Sequence, residues 1–497
     1  MIRTGREYID SIRDGREVYL NGERVKDVTR HPMLKPLVDI RARIYDMQHE
    51  PATRGIMTYE DRGERHAIAN KPPVSQQDWW DKRAAVDAVL NEVGGVVTRV
   101  GDETVGEMWS LMDGKDVLNA ADPRFAVNIE HHINRALHCD PFHVSANTDP
   151  KGDRSKPPQE QDPDMLLHMV KETDAGIVVV GAKYETAAAY ANQAFAKPTI
   201  ANWDNAAYSD YALGFIVDMG APNLKFICRT GFATRAPIDD YPLSNRFDEV
   251  DSLVIFDHVL IPWENVLFYR STAAAAHIRA SLHRYSAFPF VQRTLKLADM
   301  MIGAAMLNVR QTGLEKQQAV QEKLATLAVY REGINAHLTA SIAMAKPSPS
   351  GLMMPDPSLL YTGRVLACSQ LPAMMHIARE LCGGQICLTP DKAAFDAPGS
   401  GPWLKKYYAV NEEWIAEDRR KLLAFARDLL NSDYAGHRLT FQLFAQSPPF
   451  AHLAAVYRNF DWNQTLEVVR AAAGLSEQVL PRAAPVRGNQ QTPAVVG

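Results

Sequence analysis

The chain has 497 residues, too many for one small core, so two or three domains are expected. It is 46% hydrophobic and 23% charged with a formal net charge of -5, which is ordinary for a globular protein and gives no case for nucleic-acid binding. The opening MIRTGREYIDSIRDGREV has no apolar h-region, and the longest apolar stretches, such as AGIVVVGA, fall far short of a membrane span, so neither a secretory signal nor a membrane helix is expected. Five cysteines, an odd number in a large chain, fit reduced thiols in a cytoplasm better than a disulfide framework.

In chain order, the first feature is REVYLNGERVKDV, which alternates around Asn21-Gly22 and predicts a tight hairpin. The stretch that follows, through WWDKRAAVDAVLNEVGGVVTRVG, reads as helical, with Gly94-Gly95 as an interruption or end. The middle changes character. Residues 174–183, 211–219, 224–232 and 252–261 are β-branched runs separated by Gly, Pro, Asn and Asp, with no long helical pattern between them. An antiparallel sandwich or barrel is therefore expected rather than βαβ units. From about Tyr285 a helical period returns in one or two long amphipathic helices, then in residues 358–381, stopped by Gly383-Gly384, and in residues 411–431. These readings divide the chain into a mainly helical part (1–139), a β domain (140–271), a helix bundle (272–475) and a disordered tail rich in Pro and small residues (476–497).

No Rossmann fingerprint, P-loop, H-E-x-x-H or G-x-S-x-G is present, so any chemistry must come from a less local site. The densest cluster of candidate groups is ALHCDPFHVSANTDPKGDR, preceded by His131 and His132. A metal could use His131 or His132, His138, Cys139 and His143. However, His138 and His143 are five apart, Pro141 breaks any helix between them, and no second ligand pair repeats elsewhere. No metal is assigned. The alternatives are solvated and core histidines beside a loop, or the wall of an organic pocket.

Three stretches decide between these. TGREYIDSIRDGREVYLNGERVKDVTRHP, KETDAGIVVVGAK and DDYPLSNRFDEVDSLVIFDHVLIPWENVLFYR, with ELCGGQICLTP later, resemble the oxygenase components of the 4-hydroxyphenylacetate 3-monooxygenase family, in the same order and from near residue 1 to about 475. The resemblance implies an α+β fold like that of acyl-CoA dehydrogenase: an N-terminal helical domain, a central β domain and a C-terminal helix bundle, usually as a homotetramer. It also implies reduced FAD delivered by a separate NAD(P)H:flavin reductase, O2 as co-substrate, and hydroxylation of an aromatic ring through a flavin hydroperoxide. On the family pattern His143 is the active-site histidine, and Asn147, Asp153 and Arg154 contact flavin, with a small insertion around residues 148–151. Thr186 falls where a hydroxyl nears the flavin ring, or is a satisfied surface hydroxyl. LFAQSPP places Ala445, Gln446 and Ser447 against flavin from the bundle side.

The chain also departs from the family. Where relatives carry an Arg and a Tyr beside the substrate, MDGKDVLNA is shortened and offers Lys115 and Val117. Lys115 is either a catalytic cation or a solvated one, and a phenol or heteroaromatic other than 4-hydroxyphenylacetate is expected, free or bound to a carrier. Phe195, Trp203 and Tyr208 line the pocket or belong to the core. Two other functions compete on this fold. A flavin and iron–sulfur dehydratase resembling 4-hydroxybutyryl-CoA dehydratase needs a close cysteine pair that is missing here, and a non-catalytic relative would have lost its chemistry with the Arg/Tyr pair.

Overall fold

The computed structural model describes residues 2–93, 103–153, 155–200, 203, 205–444 and 447–476. The Gly94-Gly95 interruption and all but the first residue of the expected tail lie outside the described residues. Asn21 and Gly22 take φ values of 56° and 81°, and β1 (Glu17–Leu20) and β2 (Glu23–Val25) close the expected hairpin around them. After α1 (Lys35–Met47) comes a hairpin that the helical reading missed, β3 (Thr58–Asp61) and β4 (Glu64–Ala67), turning at Arg62-Gly63 with φ of 50° and 83°. Four helices follow: α2 (Gln76–Glu92), α3 (Val105–Met112), α4 (Lys115–Ala121) and α5 (Pro123–Cys139).

The centre holds β5 (His143–Ala146), β6 (His168–Thr173), β7 (Gly176–Thr186), β8 (Gln193–Ala196), β9 (Leu213–Asp218), β10 (Leu224–Cys228), β11 (Asp251–Pro262) and β12 (Val266–Tyr269). They form a six-stranded sheet, β2-β1-β10-β11-β7-β6, and a four-stranded sheet, β12-β9-β8-β5. Their facing sides meet through residues such as Phe215 and Phe256, whose rings lie 5.9 Å apart at 80°. Two pairs depart from the antiparallel expectation: β1 runs parallel to β10, and β5 parallel to β8. In both, the partners come from distant parts of the chain, so no local turn dictates their direction. The first hairpin thus extends the large sheet of the centre. Along β11, a bulge between Phe256 and Val259, with His258 at φ 59°, inserts one extra residue and keeps Val254, Phe256, Val259 and Ile261 all buried.

From residue 272 to 476 the described residues are mostly helical: α6 (His283–Gln311), α7 (Gln318–Ala343), α8 (Pro357–Cys382), α9 (Ala416–Asn431), α10 (Asp433–Phe444), α11 (Pro449–Asn459) and α12 (Trp462–Ala473) are the longer elements. α6, α7 and α8 pack on one another and α11 packs on α8. Gly383, at φ 72°, ends α8 where a stop was expected. Among the described residues no helix is long and apolar enough to cross a membrane. One contact ties bundle to sheet. α3 lies against α6 so closely that a Cβ on Gly106 would stand 3.1 Å from Tyr285 Cβ and 3.2 Å from the Ser286 nitrogen. The same helix sends Glu107 toward the small sheet, which places the candidate site at this seam.

Candidate active site

Period-two alternation puts His143 and Ser145 on one face of β5, while Val144 and Ala146 take the other. In the parallel register His143 stands opposite Gln193 and Ser145 opposite Phe195, so Phe195 and, two residues on, Lys197 share that face. The strand starts where it does because α5 ends at Asp140, whose left-handed backbone (φ 46°, ψ 48°) turns the chain. The Asp140 carboxylate accepts amide hydrogens from Gln48 and Asn70 at 2.9 and 2.8 Å, and its carbonyl accepts the Tyr45 hydroxyl at 2.9 Å. Burial raises the pKa of this carboxyl. A cavity beside the turn is lined by Tyr45, Gln48, Asn70, Lys82, Asp140 and His143, among others.

His143 is 5% exposed, and neither ring nitrogen has a hydrogen-bond partner among the described residues. Burial first, then the nearby His132 and Arg135, lower its pKa to about 3, so the imidazole is neutral at any working pH. Beside it lies a saturated ionic group. Lys197 Nζ meets Glu107 Oε2 at 2.7 Å and donates to Ser145 Oγ at 2.8 Å, and Ser145 donates to the same Glu107 oxygen at 2.6 Å. Lys197 Nζ also stands 4.1 Å from the centre of the Phe195 ring. Neither Lys197 nor Glu107 was singled out from the sequence. The signal was a single charge inside each of two apolar runs, AFAKP and VGEMWSLM.

At the end of β5, Asn147 Oδ1 is buried without a partner, while its carbonyl accepts from Lys183 Nζ at 3.3 Å. Thr186 is buried and donates to Asp251 Oδ1 at 2.6 Å; it is a satisfied hydroxyl, though a buried one. Asp251 also accepts from Arg229 Nε and from His437 Nε2 of α10, each at 2.8 Å. Burial alone would raise this carboxyl, but the His437 bond and the Arg229 charge hold it below the ordinary carboxylate range.

Other expected residues fall elsewhere. Lys115, the first residue of α4, turns outward and pairs with Glu130 of α5; its side chain is 48% exposed, which favours the solvated reading over that of a catalytic cation. Its shortened segment sits at a helix start where a long stem reaches solvent more readily than the sheet. Val117 packs half-buried on the main core. Phe195 is fully buried, and Trp203, 7% exposed, meets Tyr208 edge-on at 6.4 Å and keeps an unpartnered indole N–H. Asp153 is exposed and caps a turn by accepting from the Ser155 nitrogen and hydroxyl at 3.1 and 2.6 Å. The Ser447 carbonyl is 3.1 Å from His452 Nε2. Arg154, Ala445 and Gln446 lie outside the described residues. The structure thus brings His143 and Phe195 onto one face, with Asn147 at the strand's end, and leaves Lys115 and Asp153 at the surface.

Buried, unpaired polar atoms at His143 and Asn147 suit an organic ligand presenting its own donors and acceptors. Comparison with known proteins gives this reading its context. Residues 4–268 match the description "4-hydroxyphenylacetate 3-hydroxylase N terminal", and residues 272–474 match "4-hydroxyphenylacetate 3-hydroxylase C terminal". The oxygenase component of 4-nitrophenol 2-monooxygenase from Rhodococcus sp is 31% identical over 493 residues, 96% of this chain and 92% of that protein. A crystal structure of the oxygenase component of 4-hydroxyphenylacetate 3-monooxygenase, complexed with FAD, superposes with a TM-score of 0.89 at 28% identity, covering 96% of this chain and 99% of that one. A 4-hydroxybutyryl-CoA dehydratase from N. maritimus shares the fold, with a TM-score of 0.87 at 24% identity over 97% of each chain. With both halves of the chain matched, the protein is a member of the 4-hydroxyphenylacetate 3-hydroxylase family.

Proposed function

We propose that this chain is the oxygenase half of a two-component, FADH2-dependent monooxygenase that hydroxylates a phenolic or heteroaromatic ring. The balance is aromatic C–H plus O2 plus FADH2 to aromatic C–OH, water and FAD, with FADH2 supplied by a separate NAD(P)H:flavin reductase. The observation that carries this reading is His143, a neutral imidazole buried with both nitrogens unspent on the protein. Leaving such a group unsatisfied costs about 1–3 kcal/mol, a cost that a bound phenol hydroxyl removes.

Bound reduced flavin would supply the two electrons that activate O2, one atom of which goes to the ring and the other to water. The protein's part is binding, orientation and proton handling. His143, a neutral imidazole, accepts a hydrogen bond from the substrate's hydroxyl, which increases its phenolate character and the electron density on the ring carbon beside it. The flat Phe195 lines the same face, and the Lys197–Glu107 pair keeps a fixed dipole there without net charge. Asn147 would hold the flavin from the β layer through its buried Oδ1, and Arg154, Ala445, Gln446 and Ser447 are the further flavin contacts that the family resemblance implies. The outward turn of Lys115 and the apolar Val117 support a substrate other than 4-hydroxyphenylacetate.

The dehydratase reading is less well supported. Cys139 ends α5, Cys228 sits on β10, Cys368 and Cys382 lie on α8, and Cys387 follows; among the described residues no group of three candidate metal ligands includes a cysteine. Free thiols also favour a cytoplasmic enzyme. α12, which has no buried residue and exposes Trp462, Val468 and Val469, offers a face for association with further copies, and the homotetramer is the assembly that the family resemblance implies.

The test is turnover of a panel of phenols and heteroaromatics with FAD, NADH and an added flavin reductase, with products identified by mass. A mass gain of one oxygen in at least one substrate is expected. In His143→Ala that product should fall by about 100-fold or more while FADH2 still binds. Wild-type turnover in the variant, or no oxygenated product across the panel, overturns the proposal.

A further inference from the structure

Away from the His143 face, β4 and the last turn of α5 bring Glu64, His66 and His138 together. Glu64 and His66 stand two apart on a strand and so share a face, and the His66 and His138 rings meet edge-on at 5.0 Å. We propose that these three side chains form a binding site for a divalent transition-metal ion, zinc first. His138 Nδ1 lies 3.4 Å from Glu64 Oε2, His66 Nε2 lies 3.8 Å from the same oxygen, and the three ligand atoms all fall within 4.8 Å of one another. Two donors bound to one tetrahedral zinc at about 2.1 Å stand about 3.4 Å apart, so the two Glu64 pairs need to contract by no more than a few tenths of an ångström and the two imidazoles by up to about 1.4 Å, which the half-exposed His138 side chain can supply by a small rotation.

The orientation of His66 strengthens the case. Its Nδ1 faces the Leu137 carbonyl at 3.2 Å, a bond only a protonated Nδ1 can make, which leaves Nε2 as the lone-pair donor of a neutral ring. Burial to 2% exposure and the Tyr59 ring, 5.6 Å away, hold the imidazole in that pose. Glu64 and His138 are half-exposed, which gives an ion a way in and leaves its remaining positions to water. Two imidazoles and one carboxylate suit zinc, nickel or copper better than calcium or magnesium, which want an all-oxygen shell. An ion here would fasten the β3–β4 hairpin to α5 two residues before Asp140, the turn that aims His143.

The same contacts would also arise from a plain ion pair between Glu64 and a protonated His138, and the experiment separates the two. Full-length protein is stripped with a chelator, then titrated with Zn2+ by calorimetry and with Co2+ by visible absorption. One ion per chain is expected, with cobalt bands of an imidazole and oxygen site and a rise in thermal midpoint. His138→Gln and Glu64→Gln change half-exposed residues, so they should fold and weaken binding by about ten-fold or more. Cys139→Ser, altering the exposed neighbour, should leave binding intact. Absence of stoichiometric binding, affinity unchanged in both variants, or loss of binding only in Cys139→Ser would each overturn the site.

Discussion

The face around His143 and the seam around Asp251 use the same kinds of side chain and do opposite things with them. At Asp251, one carboxylate takes three donors, from Thr186, Arg229 and His437, the last reaching across from α10 of the bundle. At His143 a more deeply buried polar ring takes none among the described residues. A charge cluster between layers whose carboxylate is met by several donors is a fastener, because that carboxylate has exchanged water for protein partners. An unsaturated ring beside it retains its capacity for a ligand. The ionic trio of Lys197, Glu107 and Ser145 lies between these extremes: complete in itself, yet on the open face.

The contrast can be tested by removing partners. The largest effect is expected for Lys197→Met, which leaves Glu107 buried and uncompensated at a cost of about 3–5 kcal/mol. Guanidinium unfolding measures it, and the double variant Lys197→Met/Glu107→Leu should recover most of the loss. Asp251→Asn comes next, at about 1.5–3 kcal/mol, read as a lower urea midpoint; an unchanged midpoint would mean the seam does not fasten the layers. A pH titration of stability probes the open face. Burial lowers the pKa of His143 to about 3, of His132 to about 4 and of His452 to about 2, so the folded chain stays unprotonated at these rings where the unfolded chain takes up protons. Stability is therefore full above the unfolded value near 6.5. It should fall on acidification by up to about 1.4 kcal/mol per pH unit for each ring, and His143→Asn should flatten that slope between about pH 6 and 4. Lys115→Ala is expected to do least, shifting stability by less than about 1 kcal/mol with product formation nearly unchanged; a large loss of turnover would return Lys115 to the site.

Much of the architecture was legible in the chain. The Asn21-Gly22 turn, the β-branched runs and the Gly383 stop all act locally, through backbone preference and periodicity, and each is found where expected. What was hidden is non-local. Nothing near Glu17 says that β1 will lie parallel to a strand two hundred residues away, and nothing near Lys115 tells whether its stem points to a pocket or to Glu130. The β3–β4 hairpin was missed because its alternation is short and charged, and so resembles an exposed helix. His143 was named through family resemblance, and the structure buries it on β5. Glu107 and Lys197 were not, because a lone charge in an apolar run reads equally as a strand end.

The left-handed turn at Asp140 has a wider reach. Its carboxylate is gripped by Gln48 beyond the end of α1 and by Asn70 after β4, two segments that also line the cavity beside His143. The aim of the imidazole three residues on is consequently a joint product of three stretches of backbone. Substitutions scattered through the first seventy positions can then detune turnover remotely, surfacing as altered rate constants in a protein that still folds and still takes up its ligands.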